Sequence, residues 1–136
     1  MADRPALTPL RVLIADDSRP IADMLTELIT DRGRVEVVGV GDSEDGVMRA
    51  IRDLKPDVVV LDLQLAAGSG TDVIRAVRAD PVLKPTRLLV TSNHVSAPLR
   101  AGCMELGADH FFDKVKELDA LAKRIGELAD ARLGDR

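Results

Sequence analysis

Five polar side chains in this sequence stand where chemistry is expected: Asp16 and Asp17 in VLIADDS, Asp62 in VVVLDL, Thr91 in LLVTS and Lys114 in FFDK. Each ends or follows a short apolar run rich in branched side chains, the pattern of a buried strand. In open α/β sheets the carboxyl ends of the strands are where ligands bind. If the first and third runs pair side by side, three carboxylates converge, and their repulsion raises at least one pKa unless a cation intervenes. Carboxylate oxygens and water suit Mg2+, with Mn2+ as an alternative occupant, and such an ion is commonly shared with phosphate oxygens. Lys114 adds a point charge and Thr91 a hydroxyl, suited to two oxygens of a phosphoryl group. Together the five residues read as a phosphoryl-transfer site.

Singly, each has a plainer reading. An Asp pair after a strand often caps the next helix, Thr91 could be a strand-end hydroxyl, Lys114 a surface lysine, and Phe111 a core residue. Asp62 is harder to dismiss, because a carboxylate ending a continuous apolar strand must find a partner or carry a desolvation cost.

The elements that position these groups alternate along the chain. Strands are expected over 11–15, 35–40, 57–61, 87–91 and 109–113. Between them the apolar spacing is helical. Ile21, Leu25, Leu28 and Ile29 share a face, with Pro20 in the first turn and Gly33 ending the pattern; Val47, Ala50, Ile51 and Leu54 form the second stripe. Val73, Ile74 and Val77 mark a third helix after Gly70. The fourth has Ser96 as cap, Pro98 in its first turn and Gly107 past its end, and Leu118, Leu121, Ile125 and Leu128 make the fifth. Strands that are apolar throughout imply burial on both faces, so the fold class is α/β, a five-stranded parallel sheet flanked by helices.

Composition narrows the function. The 136 residues carry a net charge of −4 with basic residues scattered, and the only aromatic residues of the Phe, Tyr and Trp group are Phe111 and Phe112, which argues against nucleic-acid binding. A lone Cys103 excludes an internal disulfide, and His94 and His110 have no zinc spacing. With no apolar run of membrane length and no export signal, membrane insertion is not expected and a cytoplasmic location is.

Taken in order, VLIADDS, VVVLDLQLAAGSG with Gly70 eight residues after Asp62, LLVTS and GADHFFDK resemble the receiver domains of bacterial two-component response regulators, over residues 10 to about 130. The resemblance implies a flavodoxin-like sheet of strand order 2-1-3-4-5. It also implies a stand-alone receiver domain over 10–133 behind an N-terminal extension of residues 1–9, with no output domain. Asp62 would be the phosphoacceptor, charged by a sensor histidine kinase, a histidine phosphotransfer protein or a small phosphodonor. Asp17 and Asp62 would bind Mg2+ directly with the backbone carbonyl of Gln64, and Asp16 through water, while Lys114 and Thr91 meet the phosphoryl oxygens. Thr91 and Phe111 would form the switch, Phe111 turning inward, with the fourth helix, fifth strand and fifth helix facing an unidentified protein target. Gln64, Ser92 and Asn93 would tune phosphoryl lifetime. Such a chain is a self-catalysed phosphoacceptor rather than a classical enzyme.

Three positions depart from the family pattern. Ala66 replaces a proline, which predicts a more mobile loop after Asp62. Ser92 replaces a smaller residue, which predicts a narrower approach to the phosphoryl group. Val115 replaces the proline after the lysine, and a cis bond there would cost roughly 2.5–4 kcal/mol, so Lys114–Val115 is expected to be trans. These departures keep a second reading open, a receiver-like docking module that is never phosphorylated. A third, a haloacid-dehalogenase-type phosphohydrolase, fits poorly because its nucleophile follows the first strand in an Asp-x-Asp pattern and no cap segment is present.

Overall fold

The computed structural model describes residues 8–134; residues 1–7 of the expected N-terminal extension lie outside the described residues. Five runs dominated by Val, Leu and Ile form the strands β1 (Leu10–Ala15), β2 (Val35–Gly41), β3 (Val58–Asp62), β4 (Arg87–Ser92) and β5 (His110–Asp113). They pair in parallel in the order β2-β1-β3-β4-β5. Each pair of consecutive strands is joined by a helix, α1 (Arg19–Ile29), α2 (Glu44–Leu54), α3 (Gly70–Ala79) and α4 (Ala97–Leu106), and α5 (Leu118–Gly134) follows the last strand.

Alternation along the strands divides the core into two layers. Leu13, Ala15, Val59, Leu61, Leu88, Val90 and Phe111 pack against α2, α3 and α4. Val12, Ile14, Val58, Val60, Leu89 and Phe112 pack against α1 and α5. The central strands are therefore apolar on both faces, as their sequence pattern requires. Among the described residues no helix is long and apolar enough to cross a membrane.

Serines start four of the helices. Ser18, Ser43, Ser69 and Ser96 each accept a hydrogen bond from a backbone N–H two or three residues on, at 3.4, 3.1, 3.1 and 3.2 Å. Ser18 fills the capping role that Asp16 and Asp17 could have taken, while Asp16 Oδ1 accepts from the Ser18 N–H at 2.8 Å and its Oδ2 stays turned to the site. The first helix ends earlier than expected, at Ile29, because Thr30 turns extended; Gly33, at φ +83°, belongs to the following turn, where the Asp31 carbonyl accepts from Arg34 and Val35. Gly107 ends α4 in the left-handed region, as its sequence position predicts.

Register sets the site. Ala15 lies opposite Leu61 and Asp62 opposite Thr91, so Asp16, Asp62 and Thr91 stand side by side at the carboxyl edge. At the other edge Arg132 of α5 donates to the Thr8 carbonyl at 3.3 Å and to Thr8 Oγ1 at 3.0 Å, and pairs with Asp57 at 3.1 Å.

Candidate functional site

The carboxyl edge gathers Asp16, Asp17 and Asp62, each offering an oxygen within 4.8 Å of the others. Asp16 and Asp62 are 2% and 4% exposed, whereas Asp17 faces solvent. A cleft of about 160 Å3 lined by Asp16, Asp17, Arg19, Gly41 and Asp42 opens beside them. Lys114 reaches in from the end of β5, its Nζ 2.7 Å from Asp16 Oδ2 and 2.6 Å from Asp62 Oδ2. The contact to Asp62 is a directed hydrogen bond; that to Asp16 is a charge contact, and Asp16 Oδ2 has no well-aligned donor.

One ammonium thus pairs with two of the three carboxylates. Burial raises the Asp62 carboxyl above the ordinary carboxylate range, against the lowering effect of the Lys114 hydrogen bond and of the Gln64 N–H, which donates to Asp62 Oδ1 at 3.0 Å. Burial alone would lower Lys114, but its contacts with the Asp16 and Asp62 carboxylates outweigh that and raise it, so it is held as a cation. A cluster of hard oxygen donors, still net negative and with a buried oxygen lacking an aligned donor, fits a divalent cation such as Mg2+.

Thr91 is 1% exposed and its Oγ1 has no hydrogen-bond partner, an unusual state for a buried hydroxyl. Ser92 is different. Its Oγ donates to the His94 carbonyl at 2.9 Å and accepts from the His94 N–H at 3.0 Å, so the hydroxyl expected to narrow the approach is committed to the loop instead. Gln64, Asn93 and His94 are exposed around the rim. Phe111, expected to turn inward on switching, already stands inside at 4% exposure, packed in the α2–α3–α4 layer. Arg100 closes over it, its guanidinium 5.0 Å from the ring centre and Nη1 donating to the Phe111 carbonyl at 2.9 Å.

Ala66 and Val115, the two positions where the sequence resemblance implies a proline, both use the N–H a proline would not have. Ala66 N–H donates to the Asp42 carbonyl at 2.8 Å, and the loop it belongs to is tied rather than loose, contrary to expectation. Val115 N–H donates to Asp113 Oδ1 at 2.7 Å, with Lys116 N–H on the same oxygen at 3.2 Å. Glu117 Oε1 accepts from Asp113 N–H at 2.9 Å, and Lys114 N–H reaches the Ser92 carbonyl at 2.9 Å. The loop carrying the lysine is built on these bonds, and no peptide among the described residues is cis, so Lys114–Val115 is trans as expected. Gly70 completes the other loop: a Cβ there would lie 2.5 Å from the Asp62 carbonyl oxygen, so only glycine lets α3 start this close to β3. Sequence reading did not single out Arg100, Asp113, Glu117 or Glu44. An Asp directly before the lysine, able to accept from the N–H groups that follow it, was the available signal for the lysine loop.

Comparison with known proteins identifies the family and the fold. The response regulator receiver domain model matches residues 12–126. A protein-glutamate methylesterase/protein-glutamine glutaminase from Myxococcus xanthus is 40% identical over 84 residues, 62% of this chain and 23% of that protein. The DNA-binding response regulator MtrA of Mycobacterium tuberculosis is 33% identical over 115 residues, 85% of this chain and 48% of that protein. The chain thus spans less than half the length of these curated relatives. Among solved structures, a LuxR-family two-component response regulator from Aurantimonas superposes with a TM-score of 0.81 at 24% identity, covering 92% of this chain and 88% of that one, which shows the shared fold. On the family match and the five-stranded parallel sheet together, this chain belongs to the response regulator receiver domain family.

Proposed function

We propose that this receiver takes a phosphoryl group onto Asp62 and passes on a signal through protein contacts. The observation that carries the reading is the buried Lys114 ammonium bridging Asp16 and Asp62 at 2.7 and 2.6 Å beside the exposed Asp17. An Asp62 oxygen attacks the phosphorus of a phosphohistidine on a sensor histidine kinase or histidine phosphotransfer protein; the O–P bond forms as the P–N bond breaks, and the imidazole leaves. The product is an acyl phosphate. Asp17, Asp62 and the Gln64 carbonyl would hold Mg2+, with Asp16 acting through water, and the bound ion supplies positive charge to the phosphoryl oxygens. Lys114 gives its second charge-assisted contact to the same group, and Thr91 Oγ1, unpartnered before transfer, gains an oxygen to bond.

Thr91 and Phe111 are the switch, the inward Phe111 of this structure being one of its two positions, and α4, β5 and α5 the surface offered to a downstream protein, with Gln64, Ser92 and Asn93 setting how fast water removes the phosphoryl group. Acceptance is stoichiometric, so the domain is a phosphoacceptor rather than an enzyme acting on a separate substrate, and its place is the cytoplasm where kinases present phosphohistidine. Intact-protein mass spectrometry after incubation with Mg2+ and acetyl phosphate tests the proposal. The expected result is one added phosphoryl group, lost with EDTA and absent from Asp62→Asn. No adduct under a rapid quench, with acetyl phosphate or with phosphohistidine protein as donor, would overturn it in favour of a docking module.

A further inference from the structure

The loop after Asp62 and the turn before α2 come from different parts of the chain and are joined at three points. Ala66 N–H donates to the Asp42 carbonyl at 2.8 Å, Glu44 N–H to the Ala67 carbonyl at 2.8 Å, and Ser69 N–H to Glu44 Oε1 at 2.9 Å. Only the last uses a side chain. Gly68 has φ +85°, and a Cβ on it would stand 2.4 Å from Glu44 Cβ and 2.5 Å from Oε1, so Glu44 occupies the space a side chain at 68 would need. Glu44 opens α2 while Ser69 caps α3, so one carboxylate lies at the start of both helices, where free N–H groups favour negative charge.

Through Ser69 the constraint reaches the site. Ser69 is bridged in antiparallel fashion to Gln64, and Gln64 N–H holds Asp62 Oδ1 at 3.0 Å. The geometry points to Glu44 as a positioning residue: it clasps Ser69 and so fixes the Gln64 backbone whose carbonyl faces the cation in the function proposed above, on which this inference rests. Where the family's proline would stiffen this loop from within, here a side chain from α2 holds it from outside.

The test is nuclear magnetic resonance on the wild type, Glu44→Ala, Glu44→Gln and Gly68→Ala, reading amide hydrogen exchange at Ser69 and the Mg2+ concentration that half-shifts the Gln64 amide. Loss of one clasping bond in Glu44→Ala should speed Ser69 exchange about tenfold and raise half-saturating Mg2+ roughly three- to tenfold. Glu44→Gln keeps an Oε1 acceptor and should stay near the wild type in both. Gly68→Ala should impair both readings at least as much as Glu44→Ala, since its methyl meets Glu44 and the left-handed backbone at 68 strains any side chain. Acetyl phosphate labelling at saturating Mg2+ should return close to the wild-type rate in Glu44→Ala. Faster Ser69 exchange with an unchanged Mg2+ requirement would reduce Glu44 to a local cap and overturn the inference, as would a Glu44→Gln variant as impaired as Glu44→Ala. If the wild type binds Mg2+ but accepts no phosphoryl group, the proposed function fails while the two amide measurements still judge Glu44. A wild type that binds no Mg2+ overturns both.

Discussion

Thr91 keeps a buried hydroxyl without a partner, an arrangement that costs stability in the resting protein. Valine has nearly the same shape and nothing to satisfy. Thr91→Val should therefore raise resting stability by about 1 kcal/mol in urea unfolding while weakening phosphorylation and its downstream response; a loss of stability would show that the hydroxyl is bonded in solution. Asp62 makes a related point through charge. Its carboxyl is raised by burial, so the folded state binds its proton more tightly than the unfolded one, and the ionised form is a burden at neutral pH without metal. In EDTA at pH 7, Asp62→Asn should melt a few degrees higher than the wild type, with Lys114 still paired to Asp16. As the pH falls through the raised Asp62 pKa, the wild type protonates and the gap should close. A gap that widens on acidification would mean the Lys114 bond outweighs burial. At the rim, substituting exposed Gln64 or Asn93 should change the decay rate of the acyl phosphate several-fold and leave its formation intact, measured by loss of the mass adduct with time; unchanged decay in both would remove them from the tuning role.

The loops at the carboxyl edge show which elements the sequence makes legible. Strand runs such as VVVL and helix stripes such as Val73, Ile74 and Val77 are repetitive patterns with one physical cause, burial, and they place the elements to within a residue or two, α1's end excepted. The site's polar residues are legible for the same reason, since each sits where an apolar run stops. The Glu44–Ser69 and Glu117–Asp113 bonds are not legible that way, because each is a single contact between a side chain and a backbone N–H that no period announces. Comparison with the family pattern even misleads there: a missing proline reads as slack, whereas the N–H it frees is the bond that holds the loop. It follows that restoring the family residue should harm this chain. Ala66→Pro and Val115→Pro should each lower unfolding stability by roughly 1 kcal/mol or more, from the lost hydrogen bond to Asp42 or Asp113. A raised urea midpoint in either would show that proline's stiffness outweighs the bond.

At the scale of the whole molecule, the sheet separates chemistry from everything attached to it. The reactive groups stand where the strands end, while Arg132 gathers Thr8 and Asp57 where they begin, one strand length or about 17 Å away. On the function proposed above, a phosphoryl event would act on the rest of the protein through the packed layers and the α4–β5–α5 face, where Arg100 spans Phe111 and Glu117. The same separation has a practical side for anyone building a phosphorylation biosensor on this domain. Fluorophores fused beyond Thr8 and Arg132 would start side by side at the quiet edge and report little. A dye on the exposed face of α4, read against one near the start of β1, would straddle the path that the proposed function assigns to the signal.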